Sequence, residues 1–158
     1  MAARIDIGIA AKDRAAVSQA LSRALADTYA LYLKTHGYHW NVRGPNFSSL
    51  HALFMTQYTE QWTALDELAE RIRALGEFAP QSGAAFGNLT SIKDGDPEKD
   101  WEAMVADLKD GHETVIATLR DLLALADKSG DDVTVDLATQ RLTAHEKHAW
   151  MLRATLGG

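Results

Sequence analysis

The chain has 158 residues, a formal net charge of −6 and no cysteine. This length suits a single domain with a substantial hydrophobic core. Without cysteine, disulfides, thiolate catalysis and cysteine-based zinc or iron–sulfur sites are excluded, so any metal must be held by His, carboxylate or Met side chains. The negative charge argues against a protein that coats nucleic acid by bulk electrostatics.

Neither a membrane span nor a signal peptide is evident in the sequence. The opening stretch MAARIDIGIAAKDR lacks a continuous apolar run, and no later segment approaches the roughly 20 apolar residues that cross a bilayer. We therefore expect a cytoplasmic protein. The basic residues Arg4, Lys12 and Arg14 are nearly balanced by Asp6 and Asp13, which favours solvated or ion-paired side chains over a DNA-binding arm.

Two long helical patterns occupy the first half of the chain. The first spans about residues 12–39 and follows a tail, residues 1–11. The second begins at Asn46 or Ser48, both suitable N-caps, and runs to Leu75, with Gly76 as its stop.

Two further helical patterns fill the second half. The third is predicted to open at Asp96-Pro97-Glu98, where proline follows a capping residue, and to stop at Ser129-Gly130. The fourth begins around Asp131 or Asp132 and ends at the terminal glycines. No strand pattern competes with these four helices, so the fold class is all-α.

Loop lengths then predict the topology. Short connections make the first two helices antiparallel, and likewise the last two. The segment 77–95 contains 19 residues, and a helix of about 28 residues is roughly 42 Å long, so this segment can run back along a whole helix. The prediction is a ferritin-like four-helix bundle with a long crossover, in which LTSIK could form a short helix. An antiparallel bundle with a flexible loop is the alternative.

The second helix presents two faces. Its core face is predicted to contain Leu50, Phe54, Leu65, Leu68, Ile72 and Leu75. A second face, about 120° round the helix, contains His51, Met55, Thr59, Trp62, Asp66 and Glu70. Glu60, Glu67 and Arg71 are expected to point away from both faces into solvent. A histidine, a tryptophan and two carboxylates beside the core do not resemble a solvated face.

The second face has the composition of a metal site shared between two chains. Asp66 and Glu70 are four residues apart, so both carboxylates can reach one ion. His51 lies 15 residues upstream, about 22 Å along the same helix, and cannot join them. Two antiparallel copies of the helix, related by a two-fold axis near Thr59, would bring His51 beside Asp66 of the other copy, with His39 nearby.

A metal site inside one bundle is not expected. In-bundle di-iron centres use Glu-x-x-His motifs on two helices, and the chain contains no such motif. In HEKH, His145 and His148 are three residues apart, but Glu146 is only two residues before His148. His145 falls on the apolar face of the fourth helix, which favours a hydrogen-bonded core histidine over a ligand.

The stretch HWNVRGPNFSSLH, the later DELAER and the late HEKHAWMLR resemble the Dps family, the DNA-protection-during-starvation miniferritins. The spacing His-x11-His, followed 15 residues later by Asp-x3-Glu, is similar to that family's ferroxidase pattern. The resemblance covers about residues 12–156. It implies a hollow shell of twelve four-helix subunits that oxidises Fe(II), preferably with hydrogen peroxide, stores ferric mineral and protects DNA from oxidative damage.

The resemblance also implies roles for individual residues. His39 and His51 would be ligands from one subunit, Asp66 and Glu70 from its neighbour, and Trp40 would line the site. Trp62 is expected to pack at the interface rather than to take part in the chemistry. Asp132 and Asp136 resemble acidic residues of the family's iron-entry pore, although carboxylates at a helix start are equally explained by the helix dipole.

One position departs from the family pattern. The family usually has Asp or Glu four residues after the second histidine, where this chain has Met55. A thioether is a soft, neutral ligand that suits hard iron poorly, so the site loses one negative charge and one oxygen donor. We therefore expect iron binding or oxidation to be weakened while assembly is retained.

Three functions remain open at this point. The first is an iron-oxidising and iron-storing enzyme, with zinc or another divalent ion as an alternative occupant of its site. The second is a nucleoid DNA-binding shell with a weakened ferroxidase centre. The third is a shell whose metal centre has degenerated.

Overall fold

The computed structural model describes residues 4–158, which form five helices. The element bounds are α1 Ala11–Asn41, α2 Phe47–Leu75, α3 Gly83–Leu89, α4 Trp101–Lys128 and α5 Asp132–Thr155. Within this described range there is no strand, which confirms the all-α prediction. None of the helices found there is both long and apolar enough to cross a membrane.

The four long helices form two hairpins, α1–α2 and α4–α5, with α1 packed against both α2 and α4. Lys34 of α1 binds Asp107 of α4, and Asp27 of α1 binds Thr118, so α1 and α4 are antiparallel. Helix α2 is antiparallel to α1 as well, and α2 and α4 are therefore parallel. The long crossover and ferritin-like topology are confirmed, and the antiparallel bundle with a flexible loop is excluded.

The predicted helix ends lie within about three residues of the observed ones except at the start of α4. Gly76 adopts a left-handed conformation with φ of 104° and ends α2. Helix α4 begins at Trp101 rather than at Asp96-Pro97-Glu98, because Asp100 supplies the cap and its Oδ1 accepts from Ala103 N at 2.8 Å. Asp96 instead forms a local turn in which its Oδ1 accepts from Glu98 N at 2.9 Å.

The short helix of the crossover lies earlier than predicted. It is α3, which is capped by Ser82 and ends at Leu89; within LTSIK, Thr90 is extended and residues 91–93 are not helical. Buried Asp27 holds this segment in place: its Oδ1 accepts from Thr90 Oγ1 at 2.8 Å and from Ser91 N at 2.6 Å. Its Oδ2 accepts from Thr118 of α4 at 2.7 Å. A helix at LTSIK would remove the Ser91 amide from this carboxylate.

The N-terminal tail packs against the end of α2. The predicted tail is residues 1–11, of which 1–3 lie outside the described residues and Ala11 already belongs to α1. Arg14 donates to the carbonyls of Leu75 and Ile9 at 3.1 and 2.7 Å, and Arg4 pairs with Asp6 at 3.6 Å. Two of the three basic residues considered as a DNA arm are therefore engaged within the subunit.

A layer of polar side chains crosses the middle of the bundle. Its members, each buried, come from three helices: Gln57 and Gln61 of α2, His112 of α4, and Arg141, His145 and His148 of α5. Glu60 joins this layer instead of pointing into solvent as predicted. It forms an ion pair with Arg141 and accepts from His148 Nε2 at 3.3 Å.

The hydrogen bonds of the layer fix the proton positions on its histidines. Arg141 Nη2 donates to His145 Nε2 at 3.2 Å, so His145 carries its proton on Nδ1 and donates it to His112 Nδ1 at 2.8 Å. His145 is thus the hydrogen-bonded core histidine that the sequence predicted. Burial raises the pKa of Glu60, but hydrogen bonds from His148 and Arg141 outweigh it and bring this pKa to about 2.

Acid is expected to destabilise the bundle through this layer. Burial, followed by the charge of His148, lowers the pKa of His112 to about 3, and burial with His112 lowers the pKa of His145 well below 6.5. Below pH 6.5 the unfolded chain therefore binds protons that the folded chain excludes. As the pH decreases below 6.5, the free energy of unfolding should decrease by up to about 1.4 kcal/mol per histidine per pH unit. Glu60 adds its own loss only below about pH 4.5.

Thermal unfolding of the wild type at about pH 7.5, 6.5 and 5.5, at one protein concentration, measures this dependence. The variant His112→Gln should lose less stability than the wild type over the same range, because one of the two titrating groups is gone. An unchanged pH slope in the variant would contradict this origin of acid sensitivity.

Candidate metal centre

His39 and His51 are brought together by the α1–α2 hairpin. His39 is in the last turn of α1 and His51 in the second turn of α2. The connection contains Gly44 with φ of 110°, a conformation that favours glycine and allows the chain to reverse within a few residues. The two imidazole rings stack with centroids 3.7 Å apart, and His39 is buried.

The backbone fixes the orientation of both rings. His39 Nδ1 donates to the carbonyl of His51 at 2.7 Å, and His51 Nδ1 donates to the carbonyl of His39 at 2.8 Å. A carbonyl can only accept, so each Nδ1 carries the proton and each Nε2 keeps a free lone pair. This is the arrangement in which a metal-binding histidine is held by its second nitrogen. The pair is therefore prepared to bind a metal through Nε2.

Asp66 and Glu70 lie far from the histidines in the same subunit. Helix α2 is continuous from Phe47 to Leu75, so 15 residues of helix separate His51 from Asp66, about 22 Å. Both carboxylates are exposed. Residues 4–158 contain no group of three His, Asp or Glu side chains that could hold a metal ion. One subunit thus supplies two separate parts of the predicted ligand set.

Exposed apolar side chains surround the histidine pair. Trp40 is 61% exposed, Phe47 41% and Met55 47%. The Phe47 ring stacks on His51 with centroids 5.0 Å apart, and Trp62, 59% exposed, lies against Tyr32 at 5.2 Å. Apolar exposure of this kind marks a surface that packs against another protein.

An aromatic group next to the histidines was not predicted. The Tyr58 ring lies 5.2 Å from His39 and stacks on His36 at 3.8 Å. Tyr32 Oη donates to His36 Nδ1, or accepts from it, at 3.0 Å. Burial, followed by the charge of His39, lowers the pKa of His36. The i, i+4 spacing of Tyr32 and His36 was the signal available in the sequence.

Asp132 and Asp136 are exposed in the first turns of α5. The cap is the preceding residue, Asp131, whose Oδ1 accepts from Thr134 N at 3.0 Å. Asp131 also pairs with Arg71 at 2.6 Å, so Arg71 is bound across the α2–α5 interface and not directed into solvent as predicted.

Comparison with known proteins places the chain in a family. Residues 18–158 match the model of the ferritin-like domain. A low temperature-induced protein of Nostoc sp. is 40% identical over 161 residues, which cover 98% of this chain and 88% of the relative. The DNA protection during starvation protein 2 of Bacillus anthracis is 37% identical over 140 residues, which cover 89% of this chain and 96% of the relative.

Solved structures agree with the sequence comparison. The crystal structure of the Dps protein from Vibrio cholerae O1, described as one of the ferritin-like diiron-carboxylate proteins, matches with a TM-score of 0.93 and 34% identity and covers 99% of both chains. The Dps protein of Bacillus brevis matches with a TM-score of 0.89 and 34% identity, covering 92% of this chain and 97% of that chain. The chain therefore belongs to the Dps family of miniferritins.

Proposed function

We propose that this protein is a miniferritin ferroxidase that assembles as a dodecamer, oxidises Fe(II) with hydrogen peroxide and stores the ferric product. The observation that carries the proposal is the pair His39 and His51, whose Nε2 atoms are left free by reciprocal backbone hydrogen bonds. Imidazole nitrogen and carboxylate oxygen together suit Fe(II). Membership of the Dps family supports iron as the ion.

A two-fold axis near Thr59 completes the site. Two antiparallel copies of α2 would pair residues whose numbers sum to about 117, which sets His51 of one copy beside Asp66 of the other. Glu70 would complete the ligand set, and each dimer would hold two sites. The exposed Met55 and Trp62 lie on either side of Thr59 along α2 and would be covered by this contact.

The sites would remove Fe(II) and hydrogen peroxide, the two reactants of a damaging reaction. Fe(II) bound between subunits transfers electrons to peroxide, and the ferric ion moves into the shell, with Asp132 and Asp136 lining its entry pore. The names of the Bacillus anthracis and Brevibacillus brevis relatives refer to DNA protection, which fits removal of iron and peroxide together in the cytoplasm. DNA coating has weaker support, because Arg14 is bound to backbone carbonyls.

Stopped-flow oxidation of Fe(II) by peroxide tests this function together with the role of Met55. Wild type should oxidise iron faster than the peroxide reaction without protein. Met55→Glu should oxidise it faster still and bind more Fe(II) per subunit, because a carboxylate one turn from His51 restores an oxygen ligand.

Thr56→Glu is the matched control, since it adds the same charge to the same exposed turn outside the ligand face. It should behave as wild type. Equal rates and stoichiometries for wild type and Met55→Glu would refute the handicap assigned to Met55. Absence of protein-dependent oxidation in both would refute the proposed function and leave a shell with a degenerate centre.

A further inference from the structure

The aromatic group beside the histidines connects the candidate metal centre to a tyrosine that is hydrogen-bonded to a base. Ring centroids are 5.2 Å apart from His39 to Tyr58, 3.8 Å from Tyr58 to His36 and 5.6 Å from His36 to Tyr32. Each step is within the range of direct aromatic contact. The series therefore forms one continuous contact path from a candidate ligand to the Tyr32 phenol.

Tyr32 and His36 are arranged for transfer of a proton together with an electron. The 3.0 Å separation of Tyr32 Oη and His36 Nδ1 lies within the reach required of a general base. Burial and the neighbouring Tyr29 and Tyr58 raise the pKa of Tyr32, so the phenol keeps its proton at neutral pH. Tyr29 differs: it stacks on Phe86 at 4.6 Å, and no side-chain hydrogen bond of its hydroxyl is present within residues 4–158.

The composition of the candidate centre creates a need for such a donor. Reduction of hydrogen peroxide to two water molecules takes two electrons, and one Fe(II) supplies only one. With Met55 where a carboxylate would secure a second ion, the proposed site would hold one Fe(II). A second electron must then come from another source, or the peroxide O–O bond would be cleaved by a single electron.

We propose that Tyr32 supplies the second electron for peroxide reduction at this site and that His36 accepts its proton. This inference rests on the proposed ferroxidase function. Fe(II), the Tyr32 phenol, neutral His36, one hydrogen peroxide and two solvent protons give Fe(III), a neutral Tyr32 phenoxyl radical, protonated His36 and two waters. The O–O bond and the Tyr32 O–H bond break, and water O–H bonds form. The next Fe(II) reduces the radical and His36 returns the proton, so two Fe(II) are consumed per peroxide overall.

Freeze-quench electron paramagnetic resonance tests the assignment on the assembled protein. One Fe(II) per subunit is mixed with one equivalent of hydrogen peroxide, and the sample is frozen at successive times. Wild type should show a transient radical whose spectrum changes when the tyrosines are ring-deuterated. Tyr32→Phe should lose the signal while retaining Fe(II) binding. Tyr29→Phe is the control, because Tyr29 is a neighbouring tyrosine without a hydrogen-bonded base. This variant should keep the radical signal.

The centre itself provides a second test. Met55→Glu should give a weaker radical signal than wild type, because a second Fe(II) then supplies the second electron. If wild type oxidises Fe(II) and the radical is absent, persists in Tyr32→Phe, or is equally strong in Met55→Glu, the role of Tyr32 is refuted and the ferroxidase function stands. If wild type oxidises no Fe(II), the proposed ferroxidase function is refuted, and the proposed role of Tyr32 is refuted with it.

Discussion

Replacement of both His39 and His51 by alanine is expected to lower the rate of Fe(II) oxidation by at least about 100-fold, since loss of a ligand costs more than loss of its supporting group. Asp66→Asn with Glu70→Gln should have a similar effect, because the remaining amides are neutral. Assembly should persist in both variants, since Asp66 and Glu70 are exposed and the two histidines lie near helix ends, outside the hydrophobic core. Oxidation kinetics and sedimentation measure the two properties separately.

Mixing the two variants distinguishes a shared site from a site within one subunit. In a mixed dimer, the intact histidines of one chain meet the intact carboxylates of the other, so one of its two sites is restored. Random pairing after joint refolding should recover about one quarter of the wild-type sites. Neither variant alone should recover activity after the same treatment. If the mixture stays as inactive as its components, the ligands are not shared across a two-fold axis.

Removal of the Glu60 carboxylate is expected to destabilise the fold strongly. Arg141 is buried and depends on Glu60 for charge compensation, so Glu60→Ala leaves a buried guanidinium unpaired. The expected loss is about 2–4 kcal/mol, below the full cost of breaking a buried pair because Glu60 is partly exposed. Urea unfolding of metal-free protein measures it.

Glu67→Ala is the matched control for this prediction. Glu67 lies two turns further along the same helix, is exposed, and forms no ion pair among residues 4–158. Its removal should change stability by less than about 0.5 kcal/mol. The double variant Glu60→Ala with Arg141→Met should recover part of the loss, because no unpaired charge remains. A double variant less stable than Glu60→Ala alone would contradict this account of the ion pair.

The fold could be predicted because its strongest signals are local. Helical periodicity predicted the number of long helices, and glycine and capping residues predicted most of their ends. The length of segment 77–95 predicted the crossover. The two errors in helix placement, at the start of α4 and at LTSIK, have the same cause. Asp96 and Asp100 are both good caps by sequence, and the choice of Asp100 depends on packing that the pattern does not contain. LTSIK does not form a helix of its own because Asp27, more than 60 residues earlier, binds Thr90 and Ser91.

The sequence indicated candidate ligands for the centre but not the contacts that support the histidines. The spacing of His39, His51, Asp66 and Glu70 indicated a shared site, and the structure places the histidines together and the carboxylates apart as that prediction requires. The ring orientations depend on backbone carbonyls, which leave no trace in sequence spacing. The polar layer was not predicted, because the burial of Gln57, Gln61 and His112 depends on contacts between helices that the sequence pattern does not contain.

The reciprocal hydrogen bonds between His39 and His51 have a consequence for the ion that we propose binds there. Because the hairpin backbone holds both imidazoles, their geometry is already set before any metal arrives. Coordination then contributes little to folding, unlike in small domains that fold only around zinc. The histidine pair would therefore keep its geometry when the proposed ion departs. A rigid histidine pair whose geometry does not depend on metal suits an ion that is bound and released as a substrate. Release would require no unfolding, and the next ion would meet the same geometry.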